Sequence, residues 1–307
     1  GSPLTCKVDF HPISLVFRGL SALRRVAYRF GLLTTIRLPV PVVVVGNITV
    51  GGSGKTPLVV HLANALKGKG RHPGVITRGY RGSATHPARV PLDGAPESFG
   101  DEALLLARNC ACPVFVGRDR AAAGSALLSA HPECDMILSD DGLQHYRLAR
   151  DVELAVFDSR GIGNGWCLPA GPLRESASRL TTVNALVLNE NAVAPAPTSG
   201  RPLFRMTLEG NEFRSLDKTR AAQAVAGLDG LNLHAVAGIG APERFFAHLR
   251  TLGLKFTEHS FPDHHWYSPA ELDYRGDAIL TTEKDAVKLA TLKLSLPVWV
   301  LPVTACL

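Results

Sequence analysis

Between residues 42 and 188 the apolar residues gather in short unbroken runs: Val42–Val45, Gly74–Thr77, Val114–Val116, Met136–Ser139, Leu154–Phe157 and Ala185–Leu188. A strand wetted on one face alternates polar and apolar positions, so runs without alternation predict strands covered on both faces. Segments of helical period separate them, at Pro57–Lys67, Glu102–Arg108 and Arg120–Ala130. Strand and helix in turn predict an α/β fold, a parallel sheet flanked by helices, over residues 34–202. Residues 190–202 are rich in Pro, Ala and Ser and predict a boundary. Leu203–Leu208 and Glu212–Leu216 flank Gly210-Asn211 and read as a hairpin, a two-stranded linker over 203–229. A smaller C-terminal α/β unit, 230–307, is expected beyond it, with strands near His234–Ala237, Lys255–Glu258, Ala278–Thr281 and Val298–Leu301.

The start of the chain has a different period. Residues 13–33 are apolar enough to suggest a membrane span, yet four arginines interrupt a stretch that would need about 20 mostly apolar residues to cross. At 100° per residue, Arg18, Arg25 and Arg29 form one stripe, and Val16, Leu20, Leu23, Ala27 and Phe30 the opposite one. Residues 1–33 therefore predict a basic amphipathic helix. Such a helix either lies in a bilayer interface with its arginines against lipid phosphates, or packs on its own domain.

With 307 residues, 46% of them hydrophobic, the chain can bury one large or two ordinary cores. A formal charge of +6 suits an anionic partner. Nucleic acid is disfavoured among such partners, because the basic residues are spread along the chain rather than gathered with aromatic ones. The six cysteines form no CxxC pair, and no secretory pattern opens the sequence, so a reduced cytosolic compartment is expected.

Candidate chemistry starts at residue 49. The sequence TVGGSGKT follows the first strand and opens the first helix, which is the arrangement of a P-loop. Gly51, Gly52 and Gly54 let backbone N–H groups, with Ser53, approach phosphate oxygens, and a helix N-terminus adds its positive end. Lys55 reaches the β- and γ-phosphates of a nucleotide, and Thr56 offers its hydroxyl to Mg²⁺. Thr49 stands where the full pattern has glycine and is counted with Gly51–Thr56 among the nucleotide-binding residues. A P-loop also needs an acid to organise the metal. The run MILSDD ends in Asp140 and Asp141, either of which suits Mg²⁺ unless Asp-Asp-Gly is only a turn; Asp158, after LAVFDS, is a weaker rival.

Three clusters remain open on residue type alone. Asp101 precedes a helical run and is either a cap or a functional acid. Arg174 and Glu175 sit in a loop, where the arginine either clamps phosphate or faces water. Asp263-His264-His265 would suit zinc, but no second Cys/His pair has suitable spacing nearby.

VVGNITVGGSGKTP, ITRGYRG, GDEALLLA, SDDGLQHYRL, LPAGPLRE, FPDHHWYS and TTEKDAVKL follow one another in an order that resembles the tetraacyldisaccharide 4'-kinases, the lipid A 4'-kinases of Gram-negative bacteria. The likeness runs from the amphipathic start to nearly the last residue. It implies a P-loop NTPase-like fold that transfers the γ-phosphate of ATP, with Mg²⁺, to the 4'-hydroxyl of an acylated glucosamine disaccharide 1-phosphate. The product would be lipid IVA, made at the cytoplasmic face of the inner membrane by a peripheral or monotopic enzyme on an anionic phospholipid surface. No obligate protein partner is implied. Carried over residue by residue, the likeness assigns Ser53, Lys55 and Thr56 to phosphate and Mg²⁺, and Asp140 and Asp141 to the metal-organising acids with Gln144 nearby. Asp101 and His264 become a pair acting on the sugar hydroxyl, with His265 a competitor for His264. Arg174 and Glu175 match its LRE motif, and Arg120, with Arg118 as rival, a phosphate-contacting arginine. Tyr80 and Arg78 either touch the disaccharide or belong to a turn. Lys284 and Asp285 either touch nucleotide or brace a helix.

Two other classes compete. A P-loop ATPase of the partitioning or metal-chaperone type would show a KGG start where this chain has TVGG. A soluble nucleoside or sugar kinase would act on water-soluble acceptors without lipid.

Overall fold

The computed structural model describes residues 10–196, 200–217 and 219–307. Its first part runs α1 (His11–Arg29), β1 (Val42–Gly46), α2 (Lys55–Gly68), β2 (Pro73–Thr77), β3 (Ala88–Arg89), α3 (Pro96–Phe99), α4 (Asp101–Asn109), β4 (Val114–Val116), α5 (Arg120–Ala130), β5 (Met136–Asp140), β6 (Val152–Phe157), β7 (Ala185–Asn189) and β8 (Leu203–Glu209). The rest runs β9 (Glu212–Ser215), β10 (Gln223–Ala224), β11 (Leu233–Ala237), α6 (Pro242–Thr251), β12 (Phe256–Ser260), β13 (Ala278–Thr282), α7 (Glu283–Leu289), β14 (Val298–Leu301) and β15 (Thr304–Cys306).

A nine-stranded sheet takes the order β15-β8-β7-β6-β1-β5-β2-β4-β3. The strands from β4 to β8 in that order are parallel, and β3 and β15 close the edges antiparallel. Because successive side chains of a strand point to opposite faces, Val44 joins one buried cluster, with Ile137 and Leu127, while Val45 joins another, with Leu58 and Leu104. Two-sided burial is the reason the runs do not alternate. A six-stranded sheet takes the order β10-β9-β14-β13-β11-β12, with its own clusters around Phe246 and Trp299 and around Tyr267 and Ile279. The fold is thus α/β, a helix-flanked parallel sheet with a smaller α/β unit.

The connection differs from the expected hairpin. No pairing joins β8 to β9 among the described residues; β8 pairs with β7 and β15, and β9 with β14 and β10. The chain leaves the large sheet along β8–β9 and returns along β14–β15, so the two strands of the link come from residues about ninety apart. Gly210 supplies the physical reason. Its φ is not positive, as a two-residue hairpin turn would require. Instead a Cβ there would lie 2.2 Å from the carbonyl oxygen of Pro302 on the returning strand. The glycine permits close approach of two strands.

The amphipathic helix forms as α1. It is held along one edge, where the Ser14 hydroxyl donates to the Cys167 carbonyl at 2.6 Å, His11 meets the Trp166 ring and Phe17 packs on the core. Its apolar stripe faces outward, with Leu20 62% and Leu23 65% exposed, and Phe30 just past its end 74%. Packing of that stripe on its own domain is not what the chain does. No helix among the described residues is long and apolar enough to cross a membrane.

Candidate active site

In open α/β sheets ligands bind beyond the carboxyl ends of the strands. Here the carboxyl ends of β1, β2, β5 and β7 face those of β11, β12 and β13 across a cleft of about 1390 Å³.

The P-loop forms one wall. Gly54 caps α2 with φ 89° and Gly51 has φ 92°, a region that favours glycine; a Cβ on either would lie 2.6 Å from Asn189 or Arg160. The Asn47 amide donates to Thr49 Oγ1 and Ser53 Oγ, both at 3.2 Å, and Asn189 donates to the Ser53 carbonyl at 3.3 Å. Thr49 is buried at the base of the loop, bridged to Leu173, and does not line the cleft, whereas Gly51 to Thr56 all do. Arg160 donates to the Gly52 carbonyl at 2.7 Å and pairs with Asp158. Arg244 of α6 reaches the same carboxylate at 3.3 Å, so Asp158 is taken up in a tie between the loop and the smaller unit.

Asp140 and Asp141, at the end of β5, differ sharply. Asp141 adopts φ 47° and accepts from the Arg174 guanidinium at 2.9 Å on both oxygens, with Lys55 Nζ 3.6 Å away. Burial pushes its carboxyl up, but Lys55 and Arg174 outweigh burial and bring it to about 2. Asp140 is buried, with Glu102 and Asp141 adding repulsion, and is pushed up to about 7. Its Oδ2 accepts from Thr77 at 3.4 Å; its Oδ1 has no hydrogen-bond partner among the described residues. Gln144 donates to the Asn47 carbonyl and to Glu175, and Tyr146 donates to the other Glu175 oxygen, so the LRE loop is tied to the root of the P-loop.

Arg120 does not reach the cleft. It is 2% exposed and donates to the carbonyls of Gly117 at 2.8 Å and Asp140 at 3.2 Å, joining the ends of β4 and β5 from beneath. A buried carbonyl needs a donor, and this arginine supplies two. Its rival Arg118 is exposed and also outside the cleft. Arg120→Ala is therefore expected to destabilise the fold by about 3 kcal/mol, through two orphaned carbonyls and a cavity. A denaturation midpoint unchanged by the substitution would rule this structural role out.

The opposite wall brings together residues 163 apart in sequence. Asp101 is the first residue of α4, and His264 sits in the loop after β12 with φ 61°. His264 Nδ1 lies 2.9 and 3.1 Å from the two Asp101 oxygens. Burial raises the Asp101 carboxyl, but the His264 hydrogen bond, Lys284 and Lys288 outweigh it and hold it below the usual range. His264 faces the cleft and Asp101 stands behind it. His265 turns away, stacked on Phe261 and paired with Glu271. No metal-holding group of three or more His, Cys, Asp or Glu occurs among the described residues. Tyr80 lies 5.2 Å from the His264 ring, centroid to centroid, and lines the same cleft.

Sequence reasoning missed Asn47, Asn189, Arg160 and Arg244. The polar Asn47 directly after a buried strand was a usable signal for the first; the others act across the fold and left none. Lys284 and Asp285 also resolve. Asp285 is fully buried, accepting from Gly238 N, Tyr267 and Thr282, and braces α7. Lys284 instead reaches the cleft wall at His264.

A profile of the tetraacyldisaccharide-1-P 4'-kinase family matches residues 7–307. The tetraacyldisaccharide 4'-kinase of Aromatoleum aromaticum is 53% identical over 298 residues, covering 96% of this chain and 88% of the relative. That of Azoarcus sp. is 52% identical, with 96% and 86% covered. The crystal structure of LpxK from Aquifex aeolicus in complex with ATP superposes with a TM-score of 0.81 at 30% identity, covering 97% of this chain and 93% of the other. With a profile match and close relatives spanning nearly its full length, the chain belongs to the tetraacyldisaccharide-1-P 4'-kinase family.

Proposed function

We propose that the protein uses ATP and Mg²⁺ to phosphorylate the 4'-hydroxyl of an acylated glucosamine disaccharide 1-phosphate at the cytoplasmic face of the bacterial inner membrane, forming lipid IVA. The observation that carries this reading is a P-loop and an Asp–His pair on facing walls of one cleft, with Phe17, Ser21 and Arg24 of α1 on its rim. The amides of residues 51–54 and Lys55 hold the phosphates. Thr56, Asp140 and Asp141 are the residues that would hold Mg²⁺, and the Oδ1 of Asp140, without a hydrogen-bond partner among the described residues, suits a cation. Bound there, the ion would neutralise charge on the β- and γ-phosphates. The acceptor hydroxyl gives its proton to the Asp101–His264 pair as its oxygen bonds to the γ-phosphorus. The bond from that phosphorus to the β-phosphate oxygen breaks, releasing ADP. Arg174, Glu175, Gln144 and Tyr80 also line the cleft, where they are available to the acceptor.

α1 lies in the interface with its exposed stripe among acyl chains and its arginines among headgroup phosphates, bringing the cleft to a lipid substrate. The test is incubation with labelled ATP, Mg²⁺ and the acylated disaccharide 1-phosphate in vesicles of anionic phospholipid, followed by analysis of the lipid for a new 4'-phosphate. Absence of that product alongside steady ATP hydrolysis would favour a nucleotide-driven switch. In the same vesicles, Leu20→Glu with Leu23→Glu is expected to weaken binding by at least about tenfold, since each buried leucine contributes roughly 1.5–3 kcal/mol. Retention at the wild-type level would remove α1 as the anchor.

A further inference from the structure

His264 stands among three carboxylates. Asp101 meets Nδ1; on the other side Asp263 lies 3.7 Å and Glu102 4.0 Å from Nε2. Each favours a second proton on the ring, and a doubly protonated imidazole has no lone pair with which to accept one from a substrate. The remaining groups that face it are the Tyr80 ring, Arg81, which donates to the His264 carbonyl at 2.8 Å, and the ammonium groups of α7.

Lys284, in the first turn of α7, is the group that opposes the carboxylates. The turn is fixed by Thr282, whose hydroxyl accepts from Asp285 N at 3.1 Å. From there Lys284 Nζ reaches Glu102 at 3.0 Å, Asp263 at 3.2 Å and His264 Nε2 at 3.3 Å. An ammonium has three N–H donors and no acceptor, so all three contacts are donations. Nε2 must then be the acceptor, which leaves the ring hydrogen on Nδ1, directed at Asp101. The two carboxylates near Nε2 lie beyond hydrogen-bond distance of it, so a proton there would meet the lysine's charge with no acceptor in compensation. Glu102 belongs to α4 and Lys284 to α7, so the same ammonium also ties the smaller unit to α4 of the larger one.

We propose that Lys284 is a positioning residue that keeps the His264 imidazole in its neutral Nδ1–H form by donating to the Nε2 lone pair at the cleft wall, a donation that an acceptor hydroxyl would displace on binding. Burial works against the Lys284 charge, but Glu102, Asp101 and Asp263 outweigh it and strengthen the ammonium. The catalytic consequence rests on the Asp101–His264 pair handling the acceptor proton. The protonation state of the ring does not.

The experiment follows the ring nitrogens of His264 by ¹⁵N NMR of histidine-labelled protein, the signal being assigned by its loss in His264→Gln. In the wild type at neutral pH, Nδ1 is expected to be protonated and Nε2 bare; a proton on Nε2 there would overturn the proposal without recourse to any variant. In Lys284→Met the pH at which Nε2 gains a proton is expected to rise relative to wild type, and in Lys284→Arg to stay near it. The acidic limb of kcat with the glycolipid acceptor should move up by the same interval in Lys284→Met, so that activity lost at neutral pH returns as pH rises while the KM for ATP holds. A loss equal at every pH, or an unmoved Nε2 titration, would reduce Lys284 to a brace. If no glycolipid is phosphorylated while the NMR behaves as expected, the proposed function fails and the role of Lys284 stands.

Discussion

Lys55→Ala is expected to lower turnover by at least about 10³-fold, because phosphoryl transfer draws nearly all its acceleration from positioning and charge neutralisation rather than from covalent chemistry. Lys55 opens α2 immediately after the left-handed Gly54, so its side chain starts at the point where the loop amides converge. It is also the nearest ammonium to Asp141 and a stabiliser of the ionised form of both Asp140 and Asp141. Removing it deletes a phosphate contact and leaves two neighbouring acids with Arg174 and Arg120 as their remaining positive groups. Turnover, nucleotide affinity and thermal midpoint should be measured together. The fold is expected to hold, since Lys55 has no part in either core, and near-normal turnover in the variant would remove the P-loop assignment.

How far the fold could be read in advance depended on how local its causes are. Unbroken runs such as Val42–Val45 become strands because neighbouring residues enter opposite clusters, a property each strand carries in its own sequence. The helix at Asp101–Asn109 and the amphipathic α1 announce themselves by period. The link between the sheets does not. Gly210-Asn211 has the composition of a hairpin turn, and what decides its conformation is the approach of Pro302, ninety-two residues later. The edge strands β3, β10 and β15 are two or three residues long, too short to carry a period.

The candidate site divides the same way. GGSGKT is legible because strand, loop and helix occupy one continuous stretch and backbone geometry alone makes it a phosphate cradle. Arg120 shows the opposite case. The family resemblance implies a phosphate contact for this arginine, four residues past β4, yet its guanidinium is used by two strand-end carbonyls under the floor. Residue type tells what a side chain can bond, and only packing tells which acceptor it finds. The choice between His264 and His265 likewise followed from φ 61° at His264, which turns consecutive side chains to different surroundings.

Asp101→Asn is expected to reduce kcat by about 10³-fold while leaving the KM for ATP within roughly twofold, an effect of the size seen when a general base is lost or presented in the wrong tautomer. The carboxylate does not line the main cleft, so no ATP contact is removed. What changes is the partner of His264 Nδ1. An amide can present its NH₂ to that nitrogen, which would invite the ring hydrogen onto Nε2 and turn its lone pair away from the acceptor. A competing role for Asp101 exists in its position at the start of α4, where its Oδ1 accepts from Glu102 N at 2.8 Å. That role predicts a stability loss of about 1 kcal/mol and no particular effect on chemistry. The two readings separate cleanly at saturating substrate: a variant that melts a few degrees lower but turns over at the wild-type rate would return Asp101 to helix initiation. A slow variant with unchanged ATP affinity and near-native melting would leave proton handling by the pair as the reason an acid stands behind His264.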